Sequence, residues 1–381
     1  MKIAIDAHAI GQKLTGNEVY VRSLLARFAQ LDHDAEFFTY IAEPEAETWI
    51  PRGFHQSYVS RNPFVRLGSD LGARLRADKP DLIHVQYTAP LVCPVPIVVT
   101  VHDVSYFEHP EYFRFSRALQ LRLTTRHTLR RAAKIITISE YSRQRISKDY
   151  HIDPDEISVT PLAAQDCFRP MDRAMASRRV ANRFGIDRPY VLNVGDLHSR
   201  KNQVGLIRAF RELLGSYPQL PHLLVLAGKH TWFAPRVREE IRRQGLEERV
   251  VLTGFVDDEI LPALYNAADL FVFPSLYEGY GLPVIEAMAC GRPVVSSDAT
   301  ALPEVVDGAA FLFNPESIEE QVRAMRDILI DPELAQRMAR KSLQRAAFFD
   351  WRETARKTMA VYEEVAGGHR ARVRGKELVS R

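Results

Sequence analysis

The sequence predicts an α/β protein of two domains, each built on a parallel sheet flanked by helices, and three observations carry that prediction. At 381 residues the chain is too long for one ordinary core. Short runs rich in β-branched residues alternate with longer helical stretches, the rhythm of βαβ units. That rhythm stops once, around Pro161 and Pro170, and then restarts.

In the first half the strand candidates are Lys2-Ile3-Ala4-Ile5, Asp81-Leu82-Ile83-His84-Val85, Ile97-Val98-Val99-Thr100-Val101 and Lys134-Ile135-Ile136-Thr137-Ile138. In the second half they are Tyr190-Val191-Leu192-Asn193-Val194, Leu223-Leu224-Val225-Leu226-Ala227, Val250-Val251-Leu252, Leu270-Phe271-Val272-Phe273 and Pro293-Val294-Val295-Ser296. The expected domains are 1–165 and 166–350. Phe349-Asp350-Trp351 and the helical run through Val361 and Tyr362 resemble a closing helix, over about 351–366, that crosses back to the first domain, and a basic tail, 367–381, follows as a disordered end. Open parallel sheets bind ligands outside the carboxyl ends of their strands, where helix amino termini point, so two facing domains are expected to share one cleft.

Composition removes several function classes. With 51 basic against 48 acidic residues the formal charge is +3, too near neutral for a chain built mainly to hold nucleic acid. Cys93, Cys167 and Cys290 are scattered and lack CxxC spacing, which argues against a disulfide framework or a zinc site and for a reducing cytoplasm. The amino terminus reaches Asp6 before a signal-length apolar region forms, and no run approaches the roughly 18 apolar residues of a membrane span. No metal-ligand grouping is visible among the histidines and acids. The first strand is not followed by GxGxxG, which argues against a dehydrogenase.

The richest stretch is Phe273-Pro274-Ser275-Leu276-Tyr277-Glu278-Gly279-Tyr280-Gly281-Leu282-Pro283-Val284-Ile285-Glu286-Ala287-Met288-Ala289-Cys290-Gly291-Arg292-Pro293. It reads as strand, glycine loop and a helix of about two turns, with Pro283 at the start and Gly291 and Pro293 at the stop. The helix amino terminus offers N–H groups and a positive dipole end, and Gly279 and Gly281 let backbone approach an anion closely. A diphosphate suits that loop. Carboxylates accept hydrogen bonds from paired hydroxyls, so Glu278 and Glu286 suit a sugar or a ribose. Either glutamate alone reads as well as a solvated loop residue or a dipole complement; it is the combination that points to a site.

This segment closely resembles the E-x7-E signature of the retaining family 4 glycosyltransferases, which have the GT-B fold of two Rossmann-like domains facing each other across a cleft. The resemblance extends over nearly the whole chain. It implies that Glu278 lies beside the donor sugar, that Gly279, Tyr280, Gly281 and Leu282 give backbone N–H groups to sugar and phosphate, and that Glu286 holds ribose hydroxyls. Gly195-Asp196-Leu197-His198-Ser199-Arg200-Lys201-Asn202 is similar to the family's G-x-x-x-x-R-K-N loop, whose Lys, here Lys201, neutralises the departing nucleoside diphosphate. Asp196 stands where many members carry an Arg, so Arg200 or Lys229 is expected to supply the second charge. His102, after the Val98–Val101 strand, matches a family His that hydrogen-bonds the transferred sugar. Gly16 and Asn17 fall in a first β-to-α loop similar to the family's glycine loop over the donor diphosphate and acceptor. Gly254-Phe255-Val256 resembles the base-binding turn, with Val256 offering backbone groups.

These residues predict a retaining hexosyltransferase that needs no metal and no cofactor beyond its donor, with GDP-mannose the first choice and a UDP-sugar the alternative. The likeness is greatest to bacterial mannosyltransferases of lipopolysaccharide and exopolysaccharide assembly, which implies a glycan or lipid-linked acceptor. A nucleotide-sugar epimerase and a non-catalytic sugar-nucleotide binding protein are the competing readings. Between Arg114 and Lys148 the chain carries Arg117, Arg122, Arg126, Arg130, Arg131, Lys134, Arg143 and Arg145 against the single acid Glu140. That run reads either as a solvated helix face or as a peripheral contact with anionic membrane, with Arg122, Arg126 and Arg130 on one helical stripe.

Overall fold

The computed structural model describes residues 1–12 and 15–379. The chain divides into two compact units, Met1–Leu162 together with the segment from Asp350 onward, and Ala163–Phe349. In the first unit β1 (Lys2–Asp6), β2 (Glu36–Ile41), β3 (His55–Tyr58), β4 (Leu82–Gln86), β5 (Ile97–Thr100), β6 (Ala132–Thr137) and β7 (Ile157–Val159) form one sheet in the order β3-β2-β1-β4-β5-β6-β7. Every pair in it is parallel. In the second unit β8 (Tyr190–Val194), β9 (Leu223–Ala227), β10 (Val250–Gly254), β11 (Leu270–Phe273), β12 (Val294–Ser297) and β13 (Phe311–Phe313) form a parallel sheet in the order β10-β9-β8-β11-β12-β13. Both are Rossmann-like, and in each the strand order reverses once, at β1/β4 and at β8/β11. Those reversals are where an open parallel sheet leaves its crevice.

The central strands are buried from end to end, as the continuous apolar runs require of parallel sheets covered on both faces. The strands that the sequence reading did not pick out are β2, β3, β7 and β13. Three are sheet edges and the fourth, β2, adjoins one; β3 is polar and largely exposed, β7 and β13 are three residues each, and β2 opens on Glu36, so none gives the long apolar run of a covered central strand.

The closing helix spans Trp351–Val379, so the expected end near 366 falls inside it and the expected tail is helical as far as Val379. Positions 380 and 381 of that tail lie outside the described residues. The helix packs on the Thr15–Phe28 helix and on β4 and β6. Trp351 and Tyr362 are buried, the Thr354 hydroxyl donates to the Pro161 carbonyl, and Lys134 Nζ pairs with Glu364 Oε1 at 2.8 Å. The Tyr362 hydroxyl lies 2.5 Å from His84 Nδ1, and His84 Nε2 lies 2.7 Å from Thr100 Oγ1. His84 has both ring nitrogens engaged inside the sheet, and burial next to His102 pushes its imidazolium down to about 3. It is a core histidine that links this helix to β4 and β5.

Candidate functional site

In the second unit, the loops that follow β8 and β11 meet at the carboxyl ends of adjacent strands. They are tied backbone to backbone, with Leu276 N–H donating to Arg200 O at 2.7 Å. Arg200 Nη1 reaches both Tyr277 O and Glu278 Oε2 at 3.0 Å, and Lys201 Nζ lies 2.5 Å from Glu278 Oε1. The motif's carboxylate is thus gripped by both cations of the other motif. Burial opposes charge on Glu278, yet Lys201 and then Arg200 hold its carboxyl down at about 2. Burial pulls the Lys201 ammonium below its ordinary value, with Glu278 opposing. Two cations face the one carboxylate bonded to them, with Asp196 acting on Lys201 more weakly, so an entering anion finds two positive groups already gathered at this point.

Lys201 sits in this loop for a local reason. Ser199–Lys201 is a turn of 3-10 helix capped by His198, and Asn202 takes a left-handed conformation, φ 53°, before the Gln203–Ser216 helix. The floor beneath is glycine: a Cβ on Gly228 would lie 2.1 Å from Gly195 O, so only a glycine permits that crossing. Lys229 N–H donates to Asp196 Oδ1 at 3.1 Å, and Lys229 Nζ lies over the Phe255 ring at 5.6 Å. Of the two residues expected to supply the second charge, the structure brings Arg200 to Glu278.

The Leu282–Ala289 helix starts at Gly281, whose φ of 112° is closed to other residues. The preceding loop is pinned to the turn before the next helix, since Glu278 N–H donates to Thr300 Oγ1 and Thr300 Oγ1 donates to Glu278 O, both at 2.9 Å. Glu278, Tyr280 and Glu286 are all buried. Glu286 has a different partner from Glu278: the hydroxyl of fully buried Tyr265 donates to its Oε2 at 2.8 Å. Burial raises the Glu286 carboxyl to about 7, against the pull of Tyr265 and with Asp258 adding to the rise. The sequence reading missed Tyr265, which belongs to the Leu261–Ala267 helix and carries no motif signal. Val256 is buried just after Gly254, which has φ 72°, while Phe255 beside it is half exposed.

In the first unit His102 lies two residues beyond β5. Its ring is buried against the edge of Tyr20, with centroids 4.8 Å apart, and its Nε2 lies 2.7 Å from Gln86 Oε1. Burial, partly offset by Asp103, lowers its imidazolium to about 4. Gly16 and Asn17, expected in a loop, occupy the first turn of the Thr15–Phe28 helix, and a Cβ on Gly16 would meet open space. The glycine this loop requires is Gly11, at φ 85° with a Cβ position 2.9 Å from Glu43 Cβ. Lys13 and Leu14 lie outside the described residues.

The basic run resolves into mostly internal bonds. Arg122 is half-buried: its guanidinium donates to Tyr106 O at 3.1 Å and Phe107 O at 2.7 Å and covers the Phe107 ring, so it leaves the expected stripe. Arg145 pairs with Glu108 at 2.5 Å, Arg143 with Glu140 at 2.6 Å, and Arg131 donates to Pro90 O. Arg126 and Arg130 remain exposed. No group of three or more His, Cys, Asp or Glu side chains among the described residues is placed to hold a metal.

Two Rossmann-like sheets, with a cationic loop, a glycine loop and paired glutamates at one of their reversals, define a GT-B glycosyltransferase. Residues 14–163 match the model of Glycosyltransferase Family 4 and residues 177–345 that of Glycosyl transferases group 1. The O-antigen chain mannosyltransferase B of Escherichia coli is 33% identical over 266 residues, 70% of each chain. The serotype-specific mannosyltransferase WbdA of Escherichia coli is 33% identical over 231 residues, 59% of this chain and 28% of that longer protein. Among solved structures, Anabaena Alr3699/HepE in complex with UDP and glucose superposes with a TM-score of 0.76 at 20% identity, covering 96% of this chain and 100% of that one. The chain belongs to the family 4 glycosyltransferases, and its relatives include mannosyltransferases of polysaccharide assembly.

Proposed function

We propose that this glycosyltransferase is a retaining, metal-independent hexosyltransferase, with GDP-mannose its first-choice donor and a glycan or lipid-linked sugar its acceptor. The observation that carries the reading is Glu278 held between Arg200 and Lys201 at the carboxyl ends of β8 and β11, beside the start of the Leu282–Ala289 helix. An entering diphosphate competes with Glu278 for these cations and also meets the positive end of that helix. As the bond from the sugar to the diphosphate breaks, negative charge grows on the leaving oxygen, and Lys201 and Arg200 stabilise it where it develops. That charge is met by side chains, so the reading requires no metal. Glu278 then lies beside the sugar, Glu286 receives ribose hydroxyls, Val256 offers backbone groups to the base, and His102 hydrogen-bonds the transferred sugar. Attack comes on the face from which the diphosphate leaves, with a donor phosphate oxygen helping to take the acceptor proton, which preserves the anomeric configuration. The mannosyltransferases among the relatives support mannose; the nucleotide is assigned with it.

The test is a panel of GDP- and UDP-sugars in transfer and thermal-shift assays, with the product's anomeric configuration read by NMR. Transfer from GDP-mannose with retention is expected. Turnover of the donor without any acceptor points to an epimerase, binding without turnover to a non-catalytic module, and an inverted product overturns the retaining mechanism.

The proposal extends to a peripheral membrane contact for the first unit, on a narrower surface than the whole basic run. Along the Phe115–Leu129 helix, Phe115, Leu119 and Leu123 follow one another at i, i+4 and i+8 and are 80%, 44% and 59% exposed. Arg126 and Arg130 continue the same face, and the helix contains no acidic residue. An apolar stripe ending in arginines suits the boundary between acyl chains and anionic headgroups.

A further inference from the structure

Gln86 is the last residue of β4, is buried, and pairs in register with Thr100, two residues before His102. Its amide reaches two ways. Nε2 donates to the Asn17 carbonyl at 3.3 Å, and Oε1 lies 2.7 Å from His102 Nε2. A main-chain carbonyl only accepts, so the amide nitrogen faces Asn17 and the amide oxygen faces the ring. An acceptor oxygen at that distance requires a proton on Nε2. Because burial keeps the imidazolium down at about 4, the ring near neutral pH carries that one proton, and Nδ1 is left with its lone pair. Nδ1 makes no hydrogen bond among the described residues. The ring plane is itself held, by the edge of Tyr20 at 4.8 Å and by Tyr87 at 5.7 Å, and the Ser142 hydroxyl donates to the His102 carbonyl at 3.0 Å.

We infer that Gln86 is a positioning residue for sugar transfer: it locks His102 in the tautomer whose free nitrogen accepts a hydrogen bond from a sugar hydroxyl. The same amide ties that ring to the first turn of the Thr15–Phe28 helix, across the reversal between β1 and β4. The inference rests on His102 meeting the transferred sugar, as proposed above. It adds the direction of that hydrogen bond and the group that sets it. His102 takes a proton donor from the substrate; a protonated ring, or the other tautomer, would present N–H where a lone pair is needed.

Ring-15N histidine spectra of the full chain, with the His102 signals assigned by their loss in His102→Ala, read the tautomer directly. The unmutated protein is expected to show the neutral Nε2–H form near pH 7, a result that depends on no variant folding. Gln86→Leu should mix the tautomers, and Gln86→Glu should favour the imidazolium. In transfer assays Gln86→Leu should lower kcat about tenfold or more, as expected when a reacting geometry is loosened, with a smaller change in donor KM. Gln86→Glu should move the acid limb of kcat to higher pH. Groups that act as a unit are not additive, so Gln86→Leu combined with His102→Ala should be no slower than His102→Ala alone. A His102 found as the Nδ1–H tautomer, or spectra and kcat unchanged in Gln86→Leu, overturns the inference. A locked tautomer in a protein whose His102→Ala variant transfers at the wild-type rate overturns instead the role of His102 at the sugar.

Discussion

The two glutamates of the motif share a loop-helix segment yet sit in opposite electrostatic settings, and this separates their expected effects. Glu278 is ionised because Lys201 and Arg200 face it; Glu286 is held near neutral by burial. We expect Glu278→Ala chiefly to slow transfer and Glu286→Ala chiefly to weaken donor binding, so steady-state kinetics should show a kcat defect in one and a KM defect in the other. Wild-type kinetics in both would remove the paired-carboxylate reading. Lys201→Ala should cost about 2 to 4 kcal/mol of transition-state stabilisation, by analogy with deleted charge-stabilising donors. A loss in kcat/KM below about tenfold would assign the main charge to Arg200.

Glu286 also predicts a pH dependence with a definite sign. A carboxyl whose folded value is raised favours its protonated form in the fold, so its contribution to stability is complete below the ordinary value of 4.5 and is lost as pH rises through about 7. Two ribose hydroxyls donate best to the carboxylate. Donor affinity measured by calorimetry should therefore improve as pH rises through about 7, and Glu286→Gln should flatten that curve. An inflection that persists in Glu286→Gln belongs to another group.

At the scale of elements, the Leu282–Ala289 helix depends on the residue that caps its start. A Cβ on Gly281 would lie 2.6 Å from Leu302 Cδ2, at a φ where other residues are strained. Gly281→Ala should destabilise the protein by about 1 to 3 kcal/mol in denaturant titration, and Leu302→Ala in the same chain should recover only the steric share, because the backbone strain remains. Full recovery would show that contact, not φ, sets the cost. The Trp351–Val379 helix is joined to the buried His84 by the Tyr362 hydroxyl, and Tyr362→Phe leaves a buried nitrogen without its partner. A loss of about 1 to 3 kcal/mol is expected. A thermal or denaturant midpoint equal to wild type would argue that this bond contributes nothing net.

At the scale of the whole molecule, no helix among the described residues is long and apolar enough to cross a membrane, and the membrane contact proposed above is one made by a surface. Each Lys or Arg near an anionic bilayer contributes about 1 kcal/mol, and an inserted apolar side chain adds to that. The expected outcome is co-sedimentation with anionic vesicles that weakens at high salt and is lost when Phe115, Leu119 and Leu123 become serine or Arg126 and Arg130 become glutamine. Equal recovery on neutral and anionic vesicles would return this face to ordinary solvated surface. Arg122→Gln should instead lower stability, since its bonds go to Tyr106 and Phe107. EDTA should leave transfer nearly intact; abolition with rescue by Mg²⁺ or Mn²⁺ would contradict the metal-independent mechanism.

What could be read from the sequence alone is what neighbours in the chain decide. The apolar runs of the central strands, the helix bounded by Pro283 and Gly291, and the glutamate and lysine motifs depend on local backbone chemistry and short spacing, and they were legible. The strands β3, β7 and β13 were not, because they are only three or four residues long and partly exposed, and so carry no long apolar run. Tertiary structure alone decided which charge meets which. Arg200 reaches a glutamate 78 positions away, and Arg122 is spent on carbonyls 15 and 16 positions back. It also decided that Gln86 sets the proton on His102 while bonding to Asn17, 69 positions earlier. The physical reason is the same in each case: a charge or a tautomer is set by burial and by partners within hydrogen-bond reach, and in a doubly wound sheet those partners come from different strands and loops.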